Sequence, residues 1–220
     1  TVGRIGPTGP QVAARGSVGF LGAGNYAGKV LAPVFRKAGA ELRTVVSRGG
    51  VSAAHVASKQ GFTTASTDER AAFEDGTIDS VVIATRHDAH ARQVVSALRA
   101  GKHVFCEKPL CLSLAELEEI QAAADAHPAQ VLMVGFNRRF APQVRRMKTL
   151  LAQVAEPACF VFTVNAGAIP AEHWTQDRQV GGGRIVGEGC HFVDLLRHLA
   201  GSPVSRHGAI AAARRGGLGT

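Results

Sequence analysis

Residues Ser17–Ala27 read SVGFLGAGNYA. A short apolar run ends in Gly22-Ala23-Gly24, and a segment with helical spacing follows at once. The spacing is GxGxxA, with a strand before it and a helix after it. Each small residue has a physical task. Gly22 permits a tight turn, Gly24 lets the backbone come close to a pyrophosphate, and Ala27 lets the helix lie close on the sheet. The helix start offers free N–H groups and the positive end of its dipole to phosphates. The reading is a dinucleotide site contacted by Gly22, Gly24, Asn25 and Tyr26.

The surrounding pattern decides whether this motif stands alone. The stretch NYAGKVLAPVFRKAGA has helical periodicity, with Pro33 early in the helix or kinking it and Gly39 as its stop. A second strand is predicted at 42–46, a helix closed by Gly61 after it, and a brief third strand at Phe62-Thr-Thr64. A helix follows, capped at Thr67, and then the apolar strand SVVIAT at 80–85. An amphipathic helix ends at Gly101. A fifth strand, KHVFCE, begins at Lys102, and a helix opens with Ser113 and Glu116 in capping-box spacing. QVLMVGF at 130–136 is the sixth strand. Six apolar strands alternating with helices predict a doubly wound parallel sheet covered on both faces. The alternation stops after residue 140. A helix at 141–154, a longer strand at 158–167 and a glycine-rich loop entering a final helix are predicted there. The expected architecture is α/β, with a partial α+β second domain. Its divisions are an irregular lead-in at 1–15, a dinucleotide-binding domain at 16–140, and an incomplete substrate domain at 141–220 with a frayed tail.

Composition sets the outer limits. The 220 residues are 45% hydrophobic and 19% charged, which is ordinary for a globular chain. No apolar run is long enough to span a membrane, and residues 1–20 lack the apolar core of a secretory signal. The four cysteines, Cys106, Cys111, Cys159 and Cys190, form no CxxC pair or zinc spacing. They read as buried reduced thiols, no metal site is expected, and the location is read as cytoplasmic. The net charge is +8, partly from Arg138, Arg139, Arg145, Arg146 and Lys148. With one Trp and one Tyr there is little to stack on bases, so a phosphate-bearing small molecule is the favoured partner rather than nucleic acid.

Ligands in such folds lie beyond the carboxyl ends of the strands. Ser47 and Arg48 follow the second strand, where an acid would hold a ribose 2′-hydroxyl; an arginine there leans the choice towards NADP over NAD. Thr85, Arg86, His87 and His90 follow the fourth strand. Glu107-Lys108-Pro109 follow the fifth. A lysine beside a nicotinamide can stabilise a developing alkoxide. Pro109 restricts Lys108 and invites a cis bond, and Glu107 is expected to hold the ammonium.

GxGxxA at the first turn, EKP after the fifth strand, and GGGRIVGEGCHFVDLL at 181–196 together resemble the glucose–fructose oxidoreductase and inositol dehydrogenase family, Gfo/Idh/MocA. The resemblance covers about residues 16–202. It implies a Rossmann domain with an NAD(P) site at Gly22, Gly24 and Asn25. Thr85, His87, His90 and Glu107 fall within its cofactor region. It implies Lys108 as the substrate-orienting lysine and His191 as the acid/base. Many members carry Asp four residues before that histidine; here the position is Gly187, and the nearest acid is Glu188. Asp194 lies one turn on and is expected to orient the imidazole. Trp174 is a candidate for lining the substrate pocket. The implied reaction is hydride transfer between a nicotinamide and a carbinol carbon of a sugar or nucleotide sugar. The alternative is an NAD(P)-binding module without catalysis. The phrases ATRHDAHARQVVSALRAGKHVFCEKPL and CHFVDLLRHLAG resemble a subgroup fused to a zinc-alcohol-dehydrogenase-like half. Such a fusion fits a chain that starts with Thr and a linker-like lead-in. The family's second domain is longer than the 80 residues after 140, so an uncovered apolar sheet face is also expected.

Overall fold

The computed structural model describes residues 16–210; the expected lead-in at 1–15 and the tail at 211–220 lie outside them. Six strands form one sheet: β1 Ser17–Leu21, β2 Glu41–Val46, β3 Thr64–Ser66, β4 Ser80–Ile83, β5 His103–Cys106 and β6 Leu132–Val134. Their order is β3-β2-β1-β4-β5-β6, and every pairing is parallel. The chain reverses direction across the sheet between β1 and β4. Both neighbours of β1 therefore send their following loops to the same rim, and a crevice opens there.

Alternate residues of the strands feed two cores. On one face Leu21, Val46, Val81, Ile83, Val104 and Cys106 pack against α3 (Arg70–Phe73), α4 (His87–Arg99) and α5 (Leu114–Ala126). On the other, Val18, Phe20, Leu42, Val45 and Val82 pack against α1 (Ala32–Lys37) and α2 (Val51–Gln60). Phe20 sits edge-on to Phe35 and Phe62, and Phe35 to Phe105. A π-helical turn, Ala27–Leu31, runs directly into α1. Pro33 has no N–H to donate, and the turn ahead of it is wound wide, with Ala32 N donating to Ala27 O. The capping box at Ser113 and Glu116 is formed.

Four expectations need correction. The helix expected from Thr67 starts only at Arg70; Asp68 folds back on Arg70 N instead and makes a local turn. The sheet is not covered throughout, since Met133 on the edge strand is half exposed. Cys159 is exposed rather than buried, and the four cysteines are free thiols. Residues 158–167 form no strand. Among the described residues no neighbouring strand lies alongside to take its backbone hydrogen bonds, and Val161 is 88% exposed.

Beyond β6 come a 3-10 turn Asn137–Phe140, α6 (Pro142–Leu151), a short turn Trp174–Gln176, a second π-helical turn Ile185–Gly189 and α7 (Cys190–Ala200). Much of the basic cluster is used inside this part. Arg139 pairs with Asp194, Arg138 lies over the Phe192 ring, and Lys148 Nζ donates to the carbonyls of His198 and Leu199 at the end of α7. No described helix is long and apolar enough to cross a membrane.

Candidate active site

The crevice at the β1–β4 switch is an open cleft of about 1340 Å³. Its floor is the glycine turn. Gly22 has φ +103°, and a Cβ there would lie 2.4 Å from the Ala84 carbonyl oxygen, so only glycine fits. Gly24 is the opposite case: a Cβ would meet nothing within 4 Å, which leaves its backbone bare to the cleft. Gly28 N donates to Gly24 O and closes the first turn of the helix. The N–H groups ahead of it have no partner inside the helix. This is a cradle for a phosphate group.

Asn25, Tyr26, Ser47, Arg48 and Thr85 also line this cleft. Tyr26 Oη accepts from Asn137 Nδ2 at 3.1 Å. The Ser47 and Ser52 hydroxyls lie 2.6 Å apart, and Thr85 Oγ1 donates to Gln93 Oε1 at 2.7 Å. The far wall is one that the sequence reading did not single out. Arg70 is paired to Asp68, and Arg92 to Glu69. Burial alone would raise the Glu69 carboxyl, but hydrogen bonds from Arg92 and Gln93 carry it below its usual value. These charges lie in a weakly patterned stretch, and only the fold brings them opposite the glycine turn. Trp174 closes the cleft, with the Arg86 guanidinium 5.7 Å from its ring centre.

A second group gathers beyond the ends of β4 and β5. The Lys108–Pro109 bond is cis. Lys108 Nζ donates to the Gly187 carbonyl at 2.8 Å, across 79 residues of sequence. His191 is 8% exposed, and its Nδ1 is buried without a partner among the described residues. Its pKa is pushed down to about 4, first by burial and then by the nearby charges of Lys108 and Arg138. Ammonium and imidazole are thus electrostatic neighbours.

Five members of the expected set stand differently. Glu107 makes no ion pair with Lys108; its carboxyl lies against Gly135, where a Cβ would be 2.8 Å from Oε1, and burial raises its pKa. Asp194 does not hold His191, because Arg139 takes both its carboxylate oxygens. Glu188 turns to Arg184 at 3.0 Å, one helical turn away. His90 is fully buried and cannot touch a cofactor. Its Nδ1 donates to Pro109 O at 2.7 Å and its Nε2 lies 3.3 Å from Thr85 O, so it ties the lysine loop to the end of β4. His87 is also buried; its Nδ1 donates to Gly181 O at 2.8 Å, and Trp174 packs edge-on to it at 4.8 Å. Burial lowers the pKa of both His87 and His90. The partner of Lys108, a backbone carbonyl in the glycine loop, carries no side-chain signal and was not foreseeable from residue types.

Known proteins share this fold. The family model described as an oxidoreductase family with an NAD-binding Rossmann fold matches residues 17–136. The scyllo-inositol 2-dehydrogenase (NAD(+)) of Bacillus subtilis is 35% identical over 153 residues, which is 66% of this chain and 43% of that protein. The 1,5-anhydro-D-fructose reductase of Ensifer adhaerens is 30% identical over 207 residues, 91% of this chain and 61% of that one. The solved structure of a levoglucosan dehydrogenase in complex with NADH superposes with a TM-score of 0.75 at 26% identity, covering 84% of this chain and 54% of that chain. This chain thus spans roughly half the length of such relatives. With its glycine turn, its sheet order and the match over residues 17–136, the chain belongs to the Gfo/Idh/MocA oxidoreductase family, whose domain is an NAD-binding Rossmann fold.

Proposed function

We propose that the protein is an NAD(P)-dependent dehydrogenase acting on a CH–OH group of a sugar, cyclitol or nucleotide sugar. The observation that carries this reading is the long-range contact of Lys108 Nζ with the Gly187 carbonyl, which brings the lysine after β5 to the segment that carries His191. The dinucleotide would lie over the turn of Gly22, Gly24, Asn25 and Tyr26, with Ser47, Arg48 and Thr85 along its length. When bound, the nicotinamide supplies the hydride acceptor. Lys108 hydrogen-bonds the carbinol oxygen and stabilises negative charge as it develops. His191, neutral at pH 7, takes the hydroxyl proton on its imidazole. The C–H bond breaks with its electron pair, the proton goes to the imidazole, and a ketone or aldehyde forms. Named relatives support the chemistry: one is an inositol dehydrogenase and one an anhydrofructose reductase.

Finer parts of the reading rest on single features. Arg48 is exposed on the cleft, without a carboxylate partner among the described residues, and no acid follows β2; this favours NADP. In this reading residues 16–140 serve as the cofactor domain and 141–210 belong to the substrate domain. A fused alcohol-dehydrogenase-like half and a cytoplasmic location complete the proposal. Titrating the protein with NADPH and NADH, then supplying oxidised cofactor with inositols, sugars and nucleotide sugars, tests it. Cofactor binding with turnover that Lys108→Ala abolishes is expected. Binding without turnover across the panel would favour the binding-module alternative.

A further inference from the structure

The glycine loop meets the start of α4 in a tight stack. Asp88 N donates to Val180 O at 3.1 Å, and His87 Nδ1 donates to Gly181 O at 2.8 Å. Gly181 has no spare room, since a Cβ there would lie 2.4 Å from Thr175 Cα. Nor has Gly187: its Cβ would lie 2.8 Å from Gly181 O and 3.2 Å from His87 Cε1. The residue so confined is the one whose carbonyl receives Lys108. No carboxylate can stand at position 187 while His87 and Gly181 hold these places. The ammonium therefore meets a neutral backbone oxygen rather than an ion-pair partner among the described residues. Donation from Nδ1 to a carbonyl also fixes the tautomer of His87 and leaves Nε2 as the lone-pair nitrogen.

We propose that His87 is a positioning residue for Lys108: its hydrogen bond to Gly181 locks the glycine loop so that the Gly187 carbonyl, in place of a carboxylate, aims the ammonium at the site beside His191. The role given to Lys108 and His191 rests on the dehydrogenase reading; the contact itself does not. Groups charged towards His191 are Lys108, Arg138, Asp194 and Glu188, and those towards His87 are His90, Lys108 and Asp88. Releasing the loop is expected to move the Gly187 carbonyl away from Lys108 and so change the distance from the ammonium to His191.

The test is a proton–carbon NMR titration of the His191 ring, assigned by its loss in His191→Gln, in three chains. His87→Phe keeps ring volume beside Trp174 but removes the donor. His87→Asn restores a donor at the Nδ1 position. In the unsubstituted chain His191 should titrate at about 4. His87→Phe should raise that by about one pH unit or more, and His87→Asn by less than about 0.3. In turnover, His87→Phe should lower kcat about tenfold with KM for the dinucleotide unchanged, and His87→Asn should recover most of it. A His191 titration unmoved in His87→Phe, or moved as far in His87→Asn, overturns the proposal. If His191 responds as expected and no alcohol is oxidised, the dehydrogenase reading falls and the loop contact stands. Turnover that depends on Lys108, with an unmoved titration, removes only the role of His87.

Discussion

Residues 17–136 and residues 141–210 fold under different conditions, and the site draws on both. In the first part every central strand is buried on two faces, and Val45, Val81, Val82 and Ile83 have no exposed surface. In the second, α6 buries no residue, 158–167 pairs with no strand, and Val161 and Ile185 are largely bare. Yet that second part is not loosely attached. Lys108 to Gly187 and His87 to Gly181 fasten its loop to the rim of the sheet, and Arg139 ties the last helix to the turn after β6. The comparison teaches that a hydrophobic core holds the glycine turn, whereas a few polar contacts hold the segment with Gly187 and His191 at the rim. Stability and chemistry should therefore respond to different substitutions.

The largest effect should come from the chemistry. Lys108→Ala is expected to lower kcat by roughly 10²–10³-fold while dinucleotide affinity stays nearly constant; steady-state kinetics beside a fluorescence titration separate the two. Next is the core of the first part. Leu98, fully buried under β4 and β5, should cost about 3 kcal/mol as Leu98→Ala in urea unfolding.

Acid should act through the histidines. His191 is held near 4, against about 6.5 when unfolded, so at pH 5.5 the unfolded chain binds a proton that the folded one does not. Its contribution to stability is complete above about 6.5, declines as pH falls through that window, and is gone below about 4. His87 and His90, also lowered, act in the same direction. Melting curves at several pH values should show the fall, and Lys108→Ala should reduce it.

Arg139→Ala leaves the buried Asp194 without its partner and should cost about 1–2 kcal/mol, less than a fully buried pair because Arg139 is partly exposed. Val161→Ser sets the lower bound: at 88% exposure it should change stability by less than about 0.5 kcal/mol. A large loss there would mean that the second part is packed in solution, and the contrast between the two regions would have to be redrawn.

The first region was legible because its signals are local and agree. Apolar strands, Ser113 with Glu116, and the glycines around the first turn each prescribe one conformation, and the sheet order follows from parallel alternation. Pairing across the rim was not legible. Asp194 and His191 share helical spacing, but Arg139, 55 residues away, wins the carboxylate with a guanidinium fork. Glu107 and Lys108 are sequence neighbours, yet the lysine reaches a carbonyl 79 residues on. The strand expected at 158–167 failed because strand propensity needs a partner edge. The part of the site that the motifs imply and the part that only the fold assembles meet at Lys108.

The central claim is that this ammonium and the His191 imidazole work on one carbinol carbon. The most direct measurement is formation of reduced nicotinamide from NAD⁺ or NADP⁺ across inositols and nucleotide sugars, in the unsubstituted chain, Lys108→Ala and His191→Ala. The expected result is turnover in the first and its loss in both variants, with the dinucleotide still bound. Turnover within about tenfold of the unsubstituted chain in either variant would contradict the account.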